Sequence, residues 1–87
     1  MITDISHWTE VTRGIYRYVV AAKVCYEIHI NYCSDTCDVQ TANATLFLAG
    51  YWESQGSSYF ERECLLESQP VFECLKAAER DYEENIA

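Results

Sequence analysis

Three residues that could do chemistry recur at every fourth position of one stretch: Cys25, His29 and Cys33. A thiol beside an imidazole can act as a nucleophile with its base, and thiols with an imidazole can bind zinc. In an extended strand, however, positions four apart are roughly 13 Å apart at Cα. Neither cysteine then reaches His29 along that strand, so we expect no catalytic residues and a protein that is not an enzyme.

A zinc site would need ligands from further along the chain. It could form if the loop after this stretch folds back, with four ligands: His29, Cys33, Cys37 and Cys64. The pattern lacks the matched Cys-x-x-Cys pairs of structural zinc sites, because three residues separate Cys33 from Cys37. Metal binding is therefore a remote alternative, and we predict buried or incidental thiols with no cofactor.

The remaining candidate for acid–base chemistry is Glu61 with Glu63. Alternate positions of a strand place two carboxylates roughly 7 Å apart on one face. A solvated strand face explains the pair more simply. The three glycines, at positions 14, 50 and 56, are too scattered to form a phosphate-binding loop.

The element that must position these side chains is a strand over residues 24–32. Its even positions are apolar or aromatic from Val24 to Tyr32, and its odd positions include Glu27 and His29. This period of two indicates one buried face, with the odd positions turned to water or to a partner.

Further strands are predicted around it. Residues 15–21 are dense in β-formers, residues 42–48 alternate, and residues 59–66 alternate with Phe60, Cys64 and Leu66 on one side. Residues 58–66 could instead form an amphipathic helical turn.

Helices are predicted at both ends. Thr3 or Asp4 could cap a short helix that carries Ile5 and Trp8 and ends at Gly14, although one helical stripe could also continue through that glycine.

At the C-terminus, Ser68 is the expected cap of a helix that tolerates Pro70 near its start. Its predicted buried stripe comprises Val71, Leu75, Ala78 and Tyr82, with Phe72 and Cys74 flanking it. The expected fold is one α+β domain over residues 1–87: a four-stranded antiparallel sheet with a short N-terminal helix and a C-terminal helix packed on one face, in the order α-β-β-β-β-α.

Charge is unevenly distributed along the chain. The net charge is −8, and residues 53–87 hold nine of the fourteen acids but only three of the six bases. Such a field opposes direct contact with nucleic acid or with anionic membranes and favours a basic partner. The first residues lack an apolar core of signal-peptide length, so we expect a cytoplasmic protein with reduced thiols.

Acidic residues also occupy the last turns of the predicted C-terminal helix, where basic residues would complement the helix dipole. The expected partner-binding residues on this acidic surface are Glu73, Glu79, Asp81, Glu83 and Glu84. In size, charge and layout only, the chain resembles phage anti-defence inhibitors, anti-CRISPR proteins among them, and nuclease immunity proteins. Together with the uneven charge and the acids at the helix end, the resemblance predicts a non-catalytic inhibitor that mimics nucleic acid and occludes a basic nucleic-acid-binding site on a partner protein, such as a nucleic-acid-binding enzyme or complex.

An alternative interface lies on the predicted sheet. Phe47 and Tyr51 fall on the outward side of the third predicted strand, opposite the helix. Exposed aromatic residues are common at interfaces, so this face could instead join two copies in a structural homodimer.

Overall fold

The computed structural model describes residues 1–31 and 38–87, and of residues 52–54 it describes the backbone alone. In the described residues the fold is α+β. The elements in chain order are a 3₁₀ turn (Ile5–His7), β1 (Thr9–Thr12), β2 (Ile15–Ala21), β3 (Val24–Asn31), a second 3₁₀ turn (Val39–Thr41), β4 (Asn43–Ser54), β5 (Ser57–Pro70) and α1 (Val71–Asn85).

The five strands form one antiparallel sheet in chain order, β1-β2-β3-β4-β5. Strand β3 occupies its centre, with Glu27 opposite Arg17 of β2 and opposite Phe47 of β4. The even positions of β3 face α1, and Tyr26 and Ile28 there are completely buried. The predicted strand is thus confirmed as β3, with its even positions in the core, but two of its odd positions, Cys25 and Glu27, are buried rather than turned to water. Strands at 15–21 and 42–48 are also present, as β2 and as part of β4.

The predicted N-terminal helix is wrong, and so is the count of four strands. Asp4 does cap a turn, since its carboxylate accepts the Ser6 N–H, but that turn ends at His7. Residues 9–12 then form β1, which pairs with β2 at the edge of the sheet. The Trp8 Nε1–H donates to the Ile2 carbonyl at 2.8 Å, and the indole packs 5.4 Å from the Tyr18 ring. These contacts favour an extended chain after the turn over a continuing helix.

The expected faces of β5 are partly wrong. A bulge between its pairings with Leu46 and Phe47 shifts the register, so Leu66 lies opposite Leu46 and Cys64 opposite Phe47. Because a one-residue slip turns side chains to the other face, Leu66 joins the core while Cys64 stays on the opposite side. Alternation alone could not reveal this bulge.

Helix α1 packs across one face of the sheet, as predicted, but its cap differs. Pro70 is the N-cap, with no side-chain cap bond, whereas Ser68 lies in β5 with a φ of 55°. The Val71 N–H donates to the Ala42 carbonyl at 3.0 Å, so the residue just before β4 satisfies one donor of the first turn of α1. Cys74 is completely buried rather than flanking.

Candidate functional site

A buried carboxylate organises the sheet face opposite α1. Glu27 has no exposed side-chain surface, although its strand position predicts contact with water or a partner. Its Oε2 accepts hydrogen bonds from Arg17 at 3.1 and 2.8 Å. Its Oε1 accepts from Arg62 Nε at 2.7 Å and contacts His29 Nε2 at 2.9 Å. Three side chains from β2, β3 and β5 therefore converge on one carboxylate.

The strands explain this convergence. Arg17 lies directly opposite Glu27, and His29 is two residues along the same strand, on the same face. Arg62 lies opposite Ala49 of the intervening strand, whose small side chain leaves room for the guanidinium to cross towards Glu27. The cluster thus depends on the register of four neighbouring strands.

The cluster keeps Glu27 ionised. Burial by itself would raise the pKa of this carboxyl group, but hydrogen bonds from Arg62, His29 and Arg17 together lower the pKa to about 2. The same contact with Glu27 raises the pKa of the Arg17 guanidinium. A carboxylate with its lone pairs occupied in this way acts as an anchor for cations rather than as a general base.

Aromatic rings border the cluster. Phe47 packs 4.6 Å from His29, and Tyr51 packs 5.1 Å from Phe60. The Arg62 guanidinium carbon lies 4.5 Å from the centre of the Phe60 ring. We call the surface made by Arg17, Arg62, Tyr51 and Phe60 the arginine–aromatic face. It borders a shallow cleft of about 360 Å³.

The sequence correctly places Phe47 and Tyr51 on the face opposite α1. Tyr51 is 54% exposed, whereas Phe47 is half-buried beneath its contact with His29. The sequence alone does not identify Arg17 and Arg62 as part of this surface. The one sequence signal for this surface is that Arg17 lies between Tyr16 and Tyr18 and so points to the opposite face of β2 from them. That Arg62 lies on the same face as Arg17 follows only from the strand order and register.

The remote metal site is not assembled in the described part of the chain. Residues 1–31 and 38–87 contain no group of three or more potential ligand residues, and His29 contacts Glu27 instead. Cys64 is exposed on β5. Cys33 and Cys37 lie outside the described residues, so this alternative stays a prediction.

Two buried thiols are poorly suited to nucleophilic chemistry. Burial raises the pKa of Cys25, with the nearby Glu27 charge adding to the effect. Burial likewise raises the pKa of Cys74 to about 11. Both sulfurs are therefore protonated at neutral pH, and a thiol is a much weaker nucleophile than a thiolate.

The acids of α1 fall into different environments. Asp81 Oδ2 accepts the Tyr26 O–H at 2.5 Å, and its Oδ1 accepts from Asn85 at 3.0 Å. Glu73 lies 3.8 Å from Lys76 one turn on. Glu83 and Glu84 are exposed, and the last turn of α1 contains no basic residue. Asp81 thus serves the packing of α1 on β3, whereas Glu83 and Glu84 face outwards.

A second cleft lies beside the end of α1. It measures about 300 Å³ and is lined by Ile2, Tyr18, Val19, Val20, Glu79, Tyr82 and Glu83. Glu79 and Glu83 are four residues apart, so they share one side of the helix, with Tyr82 beside them. We call this the tyrosine–glutamate cleft. Two carboxylates, two phenol rings and the negative end of the helix dipole suit it to a cationic side chain.

Comparison of the chain with protein-family models, with curated proteins and with solved structures finds no match. Within the described residues, no helix has both the length and the apolar character needed to cross a lipid bilayer.

Proposed function

We propose that the protein is a non-catalytic, acidic protein-binding module that occludes a basic nucleic-acid-binding site on its partner. The tyrosine–glutamate cleft is the observation that carries this proposal. Lysine and arginine side chains that contact nucleic acid phosphates carry the charge that the cleft would accept. Glu84 extends the same acidic surface beyond the cleft, while Glu73 lies in the first turn of α1.

Asp81 takes a different role in this proposal from the one that the sequence suggests. Its carboxylate is engaged by Tyr26 and Asn85, so it fixes the position of α1. The proposed contact residues are therefore Glu79, Glu83 and Glu84. The aliphatic part of the partner's lysine or arginine side chain would pack against the rings of Tyr18 and Tyr82. A partner of this kind would have a nucleic-acid-binding surface and would be inhibited by competition.

A labelled hexalysine peptide tests the cleft directly, with fluorescence anisotropy as the readout. We expect saturable binding that weakens about tenfold in the double variant Glu79→Gln/Glu83→Gln, because two charge pairs are lost. The matched control is Glu61→Gln/Glu63→Gln, which removes the same charge from exposed positions of β5. Equal weakening in both double variants would mean that net charge, and not the cleft, governs binding.

A homodimer through the open sheet face is a second candidate. The exposed ring of Tyr51 with its neighbour Phe60 favours it. Against it, a symmetric contact through this face would bring Arg17 and Arg62 of one copy towards those of the other, and like charges repel. Sedimentation at about 100 μM protein separates the candidates, because the Kd of a stable dimer lies well below that concentration. A protein that sediments as a monomer at that concentration would rule out the homodimer.

A further inference from the structure

We propose that the arginine–aromatic face is a second binding site, which takes an acidic segment of another protein through a carboxylate placed beside an apolar side chain. This site lies on the opposite side of the sheet from α1 and is independent of the function proposed above. Two arginines and one glutamate give the cluster one net positive charge on a chain whose net charge is −8. The local charge is thus opposite in sign to that of the whole molecule.

The arginines keep donors for a ligand. Arg62 uses only its Nε to bond Glu27, and in the part of the chain that the structure describes it has no other hydrogen-bond partner. Its side chain is 40% exposed and that of Arg17 is 38% exposed. Because a guanidinium has five N–H donors, both terminal groups of Arg62 remain to grip a carboxylate with two parallel hydrogen bonds.

Glu27 holds these donors ready instead of competing with the ligand. Its two oxygens already accept from Arg17, Arg62 and His29, and it is shielded from solvent. The Phe60 ring beneath Arg62 further restricts the guanidinium. A donor group fixed before binding loses less conformational entropy when the ligand arrives, so the arrangement favours a specific contact over a diffuse one.

The neighbouring rings define the other half of the ligand. Tyr51 and Phe60 are 54% and 36% exposed and meet edge to face at the rim of the cleft. An apolar side chain next to the bound carboxylate would cover these rings. A nucleic acid fits less well, because it is bound through a row of phosphate contacts and the cluster offers only two arginines.

The test uses a fluorescein-labelled pentapeptide that has four glutamates around a central phenylalanine, with anisotropy as the readout. We expect saturable binding, weakened about fivefold in Arg62→Gln, as the loss of one exposed charge pair implies. Arg80→Gln is the matched control, since it removes the same charge from the exposed surface of α1. Equal weakening by both substitutions would overturn the proposal.

Two further measurements complete this test. Tyr51→Ala leaves the Glu27 cluster intact, and we expect it to weaken peptide binding severalfold; unchanged binding would contradict a site that includes the rings. Labelled oligothymidylate of about ten nucleotides probes the alternative polyanion at the same salt concentration. Tighter binding of the oligonucleotide than of the peptide would also overturn the proposal.

Discussion

Asp81 and Glu83 are two residues apart on α1, yet their carboxylates lie in different surroundings. Asp81 accepts the phenol of a completely buried tyrosine, whereas Glu83 lines an open cleft. Desolvation and the hydrogen bond to Asp81 both raise the pKa of Tyr26, so the phenol stays protonated and remains the donor. Residues that look equivalent in the sequence therefore separate into one that stabilises the fold and one that is available to a partner.

A double-mutant cycle on Tyr26 and Asp81 checks this separation. We expect Tyr26→Phe to lower the free energy of unfolding by about 1–2 kcal/mol, because the hydrogen bond has a charged acceptor. Asp81→Asn should lower it too, and the double variant should lose less than the sum. Urea unfolding measures all four proteins. Strict additivity of the two losses would show that the contact contributes nothing, while Glu83→Gln serves as a control with unchanged stability.

Glu27 should give the protein an acid-sensitive component of stability. The folded-state pKa of about 2 lies below the ordinary glutamate value of 4.5, so ionised Glu27 stabilises the fold fully above pH 4.5. That contribution is lost as the pH falls from 4.5 through about 2. At about 1.4 kcal/mol per pKa unit, it amounts to roughly 3 kcal/mol.

The measurement is urea unfolding of the wild-type protein and of Glu27→Gln over this acidic range. The variant should be less stable at pH 7 by about 3 kcal/mol, because two arginines lose their buried counter-charge. The stability difference between the two proteins should shrink as the pH falls. A difference that stays constant between pH 4.5 and 2 would contradict the assigned role of Glu27.

At the scale of elements, the sequence predicts those whose apolar residues follow a simple period. Apolar residues alternate strictly along the sequence of β3, and α1 shows a helical apolar stripe, so both could be assigned from pattern alone. Strand β1 has only four residues and all of them are exposed, which leaves no alternation to detect. The spacing of Ile5 and Trp8 matches one side of an α-helix, but the chain between them makes only one 3₁₀ turn.

The candidate sites are less predictable than the elements, because they join residues from distant parts of the chain. Outward placement of Glu27 follows from alternation, but its burial depends on Arg62, 35 positions further along. The tyrosine–glutamate cleft likewise requires that the end of α1 lie beside β2. Periodicity assigns a residue to a face, whereas strand order and helix direction decide which residues on that face meet.

The backbone of β4 at Gly50 lies close to the backbone at Lys23, so a larger residue at position 50 should destabilise the protein. A Cβ added at Gly50 would lie 2.7 Å from the Lys23 carbonyl oxygen, which also accepts the Tyr51 N–H. We expect Gly50→Ala to destabilise the protein by about 1–3 kcal/mol, because backbone atoms must shift to relieve the overlap. Thermal unfolding measures the change.

Gly56 provides the comparison for Gly50. A Cβ there would meet nothing within 4 Å, but the residue has a φ of 80° in the turn between β4 and β5. Gly56→Ala should therefore cost about 1 kcal/mol through backbone strain alone. A smaller loss for Gly50→Ala than for Gly56→Ala would contradict the tight packing of β4 against the turn before β3.

For the whole molecule, the distribution of charge matters more than its sum. Glu79, Glu83 and Glu84 lie on the helical side, and the arginine cluster lies on the opposite face of the sheet. A basic partner is attracted by the overall field and would be oriented towards α1, since its contact with the other face would be repelled locally. Association with such a partner should slow and weaken as salt screens the surface charges.

Competition between the partner's nucleic acid and this protein tests the central proposal most directly. The wild-type protein, immobilised, is exposed to a nuclease-treated cell extract, and after washing any retained protein is challenged with a short DNA duplex. We predict that the duplex releases the partner, that Glu61→Gln/Glu63→Gln retains it equally well, and that Glu79→Gln/Glu83→Gln fails to retain it. A partner that stays bound in excess duplex, and that the Glu79→Gln/Glu83→Gln variant retains as well as the wild type does, would contradict occlusion by the acidic end of α1.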